Sequence, residues 1–207
     1  MSPMRQMQTP ATLLRPARPG RGQPAETRDR IVAAAAIAFN RDGYAKVDAG
    51  RIAAEAGYAV GTFYKHFADK KEALIAAYER WVAAEWREIE TLFGASGSPQ
   101  VFARELLSLV LQHHAAWQGL RVSFFSLLNE RPIRKVYRKQ RSSQLAMLKS
   151  MRMKNKMRAH RVEDDAILMF TLERVCDAIA QGDVTDLGLN RELLEARLRG
   201  LIEAALI

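Results

Sequence analysis

The sequence predicts an all-α protein, and three observations carry that reading. Apolar residues recur at three- and four-residue spacing along most of the chain, Gly and Pro cluster at the few places where those runs stop, and no stretch alternates in the two-residue period of a strand. With 207 residues, the chain is long enough for one helical domain plus a smaller module. The boundaries expected are an arm over residues 1–25, a three-helix module over 26–72 and a larger helical domain over 73–207.

The elements follow in order. Five of the seven prolines and four arginines, Arg5, Arg15, Arg18 and Arg21, fall in the first 25 residues, which carry no acid. A flexible basic arm is expected there, and the absence of an apolar run of 7 to 15 residues argues against a secretory signal. The stretch ETRDRIVAAAAIAFNRDGY reads as a helix from Thr27, a possible cap, to Arg41, with Ile31, Ala34, Ala35, Ala38 and Phe39 on one face and Asp42-Gly43 as the stop. DAGRIAAEAG follows as a second helix of about two turns, capped by Asp48 and closed by Gly57. Val60, Phe63 and Phe67 then mark a third, very short helix.

Asp69 is placed to cap a long helix over 69–93 that connects the two domains, with Leu74, Tyr78, Trp81, Val82, Trp86 and Ile89 on its apolar stripe. GASGSP, Gly94 to Pro99, is the clearest interior linker. Beyond it, helices are expected at about 99–116, 119–129, 132–157, 162–181 and 190–206. The breaks between them are Gly119, Pro132, the Ala159-His160 region and Gly182 to Gly188.

Composition narrows the function classes. A net charge of +9 favours an anionic partner, and residues 131–161 contribute twelve Lys or Arg with no acid. No apolar run approaches the roughly 18 residues of a membrane span, so no membrane partner is expected. Cys176 stands alone, which excludes an internal disulfide and fits a reducing cytoplasm. The four histidines show no metal spacing, and no Ser-His-Asp arrangement or phosphate-binding glycine loop is present. An enzyme, a metal site and a cofactor are therefore not expected.

Two short helices joined at a glycine and packed on a preceding helix make a helix-turn-helix, whose second helix can enter a DNA major groove. Thr62 and Lys65 share its exposed face, with Tyr64, His66 and Lys70 beside them as phosphate donors. The run ETRDRIVAAAAIAFNRDGY, then RIAAEAG, then VGTFYKHFADKKEAL resembles the DNA-binding domain of the TetR family of transcriptional regulators over about residues 26–80. That resemblance implies a homodimer with a three-helix DNA-binding head and a larger helical domain that dimerises and holds an effector. It places Thr27, Gly61, Thr62, Tyr64, Lys65, His66 and Lys70 where the family contacts DNA.

The chain departs from the family pattern at Tyr58, Ala59 and Val60, where small hydroxyl and basic residues are common, and at Val47, where a hydroxyl is common. Operator preference is expected to differ accordingly. Arg18 and Arg21 of the arm are close enough in sequence to reach a neighbouring minor groove.

For the larger domain, the resemblance implies a ligand cavity. His113, Trp117, Phe124, Phe125, Leu128, Met147, Met151 and Phe170 are the candidate lining, suited to a bulky hydrophobic molecule. Ordinary core packing is the alternative for each. The basic run is expected to be a solvated face, with Arg134, Lys135, Arg138 or Lys139 as possible receivers of an anionic group such as acyl-CoA phosphates. The last two helices carry surplus apolar residues, Ile167 and Phe170 among them, and the resemblance assigns such a pair to the dimer interface. The expected function is a cytoplasmic repressor that binds a palindromic DNA operator and is released by a small-molecule effector. The alternative is a DNA-bound protein whose second domain recruits a protein partner.

Overall fold

The computed structural model describes residues 24–95, 97–155 and 160–206. All regular elements among them are helical: α1 Pro24–Asp42, a 3-10 turn Tyr44–Lys46, α2 Ala49–Glu55, α3 Val60–Tyr64, α4 Lys70–Ala95, α5 Pro99–Ala116, α6 Gln118–Phe125, α7 Arg131–Lys154, α8 Val162–Gln181, α9 Asp183–Asp186 and α10 Arg191–Ala204. The expected all-α class holds. Most of the proposed basic arm, up to residue 23, lies outside the described residues.

Sequence and structure differ at several edges. The chain is already helical at Pro24, so Thr27 lies inside α1 rather than capping it. Proline suits a first helical turn because its missing N–H would have no partner there. The helix expected over 119–129 ends at Phe125, and the 3-10 turn and α9 have no apolar period long enough to announce them.

The chain divides into two compact units, and the division is not the 26–72 and 73–207 read from the sequence. The first unit takes the described residues up to Ala84 together with Gly119–Leu127; the second takes Glu85–Gln118 and the residues from Leu128 onward. The connecting helix α4 therefore contributes its first part to one core and its second part to the other.

In the first unit, α1 is the central support. Ile31, Ala34, Ala35, Ala38 and Phe39 are buried to within 1% of complete exclusion, because their three- and four-residue spacing puts them on one face and the alanines admit close helix approach. Residues 119–127 join this core from far along the chain. A Cβ on Gly119 would stand 2.0 Å from the carbonyl oxygen of Asn40, so only glycine permits this approach. The Asn40 side-chain oxygen accepts the Leu120 N–H at 3.1 Å, and the Ser123 hydroxyl donates to the Phe39 carbonyl at 3.3 Å. Phe124 stacks on Tyr78 with ring centroids 3.6 Å apart and planes 8° from parallel. Arg121, buried beside them, lies 4.9 Å from the Trp81 ring centroid and 5.3 Å from that of Phe125.

In the second unit, α5 is the hub and packs on α8 and α10. Ser98 caps α5 by accepting the Val101 N–H at 3.3 Å, with Pro99 in the first turn. Gly182 ends α8 at φ 91°, a left-handed conformation suited to glycine. Two arginines of the basic run are buried here instead of solvated. Arg152 bonds Asp165 of α8 at 2.8 Å and the Ala205 carbonyl at 2.7 Å, and Arg141 pairs with Glu173 of α8 and bonds Gln144 at 3.0 Å.

Replacing Gly119 by Ala should destabilise the protein by about 1–3 kcal/mol, since a methyl group would have to displace backbone atoms of α1. Urea unfolding of G119A against the parent measures this, and equal midpoints would contradict the packing described.

Candidate nucleic-acid interface

The turn between α2 and α3 is fixed by the backbone. Asp48 opens α2 by accepting the Arg51 N–H at 2.8 Å. Gly57, at φ 79°, closes it. The Tyr58 N–H returns to the Ala53 carbonyl at 2.8 Å and the Gly57 N–H to Ala54 at 3.0 Å, the paired closure of a Schellman motif. Around this turn Arg41 reaches Glu55 at 3.2 Å while Asp42 receives Arg41 and Arg51, each at 3.0 Å. The hydrogen bond from Arg41 holds the Asp42 carboxyl below its ordinary range.

α3 has only five residues, too few to stand alone. Phe63 is fully buried and Phe67 nearly so, each burial contributing about 1.5–3 kcal/mol. The rings lie 5.6 Å apart, and the Arg28 guanidinium of α1 sits 4.9 Å from the Phe67 centroid. Anchoring these two rings turns the intervening side chains outward. Gly61, Tyr64 and Lys65 are exposed and Thr62 and His66 are half-buried. Tyr64 is 59% exposed although its ring meets Phe63 edge-on at 5.4 Å. A supported ring with a projecting hydroxyl is suited to a phosphate oxygen.

Lys70 has a structural task that the sequence did not reveal. Its ammonium donates to the Tyr44 and Val47 carbonyls at 2.9 and 2.8 Å and lies 4.3 Å from the Tyr44 ring centroid. It thereby holds the loop between α1 and α2, with one of its three N–H groups beyond these two bonds. Thr27 is half-buried on α1, while Ala59 and Val60 are exposed at the start of α3.

The second unit contains a cavity of about 60 Å³ between α4, α5, α7 and α8, with Glu85, Trp86, Val110, His114, Leu148 and Glu173 in its wall. None of the eight pocket residues expected from sequence lines it. Phe124 and Phe125 belong to the other unit and pack there; Trp117 and Met151 are buried, while Phe170 is 47% exposed on α8. His113 is buried next to this wall, its Nε2 3.3 Å from Glu88. Glu85 carried a readable signal, an acid on the same stripe as Tyr78, Trp81 and Ile89. Of the basic residues proposed to receive an anion, Arg134, Lys135 and Arg138 line one open groove with Asn129 and Arg131.

A short helix presenting polar side chains after a glycine turn, supported on a longer helix, defines a helix-turn-helix DNA-binding head. Residues 31–78 match the family model described as bacterial regulatory proteins, tetR family. That match shows a TetR-family DNA-binding domain over residues 31–78. No curated protein sequence matches it. The fold is similar to that of the fatty acid degradation regulator FadR from Bacillus halodurans, with 19% identity, 90% of this chain and 97% of that chain covered, and a TM-score of 0.66. A TetR-family regulator from Mesorhizobium loti gives 19% identity, coverage of 88% and 96%, and a TM-score of 0.67. A transcriptional regulator from Saccharomonospora viridis in complex with choline gives 21%, 86% and 96%, and 0.63. Among the described residues, no helix is long and apolar enough to cross a membrane.

Burial lowers the proton affinity of His113 below the ordinary histidine value, with Glu88 opposing the shift. An unfolded chain would accept the proton that the folded His113 resists, so stability should fall as pH drops below about 6.5. The pH dependence of urea unfolding between pH 8 and 5 measures this; H113Q should show a shallower loss, and an unchanged slope would contradict it.

Proposed function

We propose that the protein is a cytoplasmic repressor that binds a palindromic operator as a homodimer and leaves it when a small, largely hydrophobic effector occupies the second unit. The observation that carries the reading is the arrangement of α3, where Phe63 and Phe67 are buried and the polar residues between them face outward. In this proposal Gly61 lets the backbone approach DNA, Thr62 and Lys65 meet the groove, and Tyr64, His66, Lys70 and Thr27 bind phosphates. Operator preference is assigned in part to Tyr58, Ala59 and Val60, which precede those contacts. The proposed role is binding, without catalysis.

Dimerisation is supported by apolar side chains left outside: Ile167 at 65% and Phe170 at 47% exposure on α8, with Leu193 at 54% and Leu201 at 52% on α10. Such a surface suits a self-complementary interface. The choline complex of the Saccharomonospora viridis regulator supports a small-molecule effector as the controlling partner.

Fluorescence anisotropy on duplexes selected from a random-sequence pool tests the DNA contacts. K65A should weaken binding by about 1–3 kcal/mol and relax the preference for the base it meets; equal affinity and selectivity for K65A and parent would remove Lys65 from the groove contacts. Light scattering at micromolar concentration should give a dimer, and F170E/L201E should give a folded monomer with at least tenfold weaker operator binding. A monomeric parent would contradict the proposed assembly.

A further inference from the structure

The first two turns of α7 carry a stripe of four cations. Arg131, Arg134, Lys135 and Arg138 are spaced three and four residues apart, so they share one face of the helix over about 10 Å. All four are exposed, while Ile133 between them is fully buried. Together with Asn129 of the preceding turn they line an open groove of about 520 Å³, a volume within the range of small-molecule sites. The Arg134 Nε donates to the Leu128 carbonyl at 3.4 Å, which ties that side chain back to the turn before α7. Among the described residues, no carboxylate is paired with any of the four. Glu130, the nearest acid in sequence, is the half-buried N-cap of the helix.

Folding alone disfavours this arrangement. Arg131 with Lys135 and Arg134 with Arg138 are like-charge pairs four residues apart, which destabilise a helix. Cations this early in a helix also oppose its macrodipole, whose positive end lies there. Glu130 brings one negative charge to the helix start, but its side chain makes no capping bond. Four cations against that one acid leave a surplus of three positive charges. A local conflict of this kind within a well-packed helix is expected at a functional site. A single phosphate offsets only part of the surplus, whereas a chain of two or three phosphates offsets all of it. Arginine forks suit phosphate oxygens, which they hold two at a time.

We infer that this groove binds an oligophosphate group, a chain of two or three phosphates that is either free or carried by a nucleotide. Arg131, Arg134 and Arg138 hold the phosphate oxygens through their guanidinium forks, Lys135 adds a point charge among them, and Asn129 offers its side-chain amide. The length of the stripe lets successive cations meet successive phosphates. The site is separate from the DNA contacts proposed above, which all lie in the first unit, whereas the groove lies in the second. It is separate also from the internal cavity, whose wall includes none of these five residues. The inference therefore stands or falls independently of operator binding and effector release.

Isothermal titration calorimetry on the full-length protein, free of DNA and magnesium and at fixed ionic strength, tests this with sodium triphosphate, sodium orthophosphate and ATP. Triphosphate should bind once per chain and at least tenfold more tightly than orthophosphate. ATP binding more tightly than triphosphate assigns the site to a nucleotide; equal or weaker ATP binding assigns it to the phosphate chain alone. R131Q/K135Q/R138Q should weaken triphosphate binding at least tenfold. Without ligand it should melt no lower than the parent by circular dichroism, because it removes repulsion and keeps the Arg134 bond. K65A, altered in the head, should bind triphosphate within twofold of the parent. Triphosphate binding no tighter than orthophosphate, equal triphosphate affinity in parent and triple variant, or a lower melt of the ligand-free triple variant would overturn the inference. A tenfold loss in K65A would do the same by moving the anion to the head. Operator anisotropy over a salt series separates a DNA role: a smaller salt slope in the triple variant with unchanged triphosphate affinity would make the groove a DNA contact instead.

Discussion

A helix of five residues cannot hold its own shape, and the proposed DNA-binding face of this protein is built on one. The burial of Phe63, with Phe67 behind it, supplies what the short helix lacks. Because those rings are four residues apart, they fix both the position and the rotation of α3. Every outward residue on it and in the turn that follows, from Gly61 to His66, takes its direction from that anchor. The Schellman closure at Gly57 then fixes where α3 begins, and Lys70 holds the preceding loop against the start of α4.

The support beneath this anchor comes partly from an unexpected place. Residues 119–127 lie well past the linker that begins at Gly94, yet they share a core with α1 and the first part of α4. The approach is possible because position 119 lacks a Cβ, and it is consolidated by the Asn40 bond and the Tyr78–Phe124 stack. α6 therefore belongs to the head's packing, and its aromatic residues are structural. The second unit is organised differently, around charged side chains placed inward on α4, α5, α7 and α8. Arg141, Arg152, His114 and Glu85 make its interior polar at selected points, which specifies pairing among its helices.

Much of the head was legible because its signals are local. Asp48, Gly57 and Asp69 act within a turn or two of themselves, and the apolar spacing of α1 and α4 reports which face is buried. The helix-turn-helix and its family followed from the same short stretches. The cavity was harder to read because it depends on which helices become neighbours. Phe124 and Phe125 looked like pocket residues by aromatic character, but tertiary packing gave them to Tyr78. Glu85 interrupted an apolar stripe and could have been singled out on that ground alone. Gly119 was readable as a break but not as a contact, since its partner is Asn40, far earlier in the chain. The charge of 131–161 concealed two buried pairs for the same reason, as Asp165 and Glu173 lie on another helix.

The central claim is that two copies of α3, each held by its phenylalanine anchor, read two halves of one DNA site. Hydroxyl-radical footprinting on the tightest duplex from a random-sequence selection tests this most directly. The account predicts two protected patches related by two-fold symmetry, with centres one helical turn apart, roughly 34 Å. A single unsymmetrical patch, or protection spread evenly along the duplex, would contradict it.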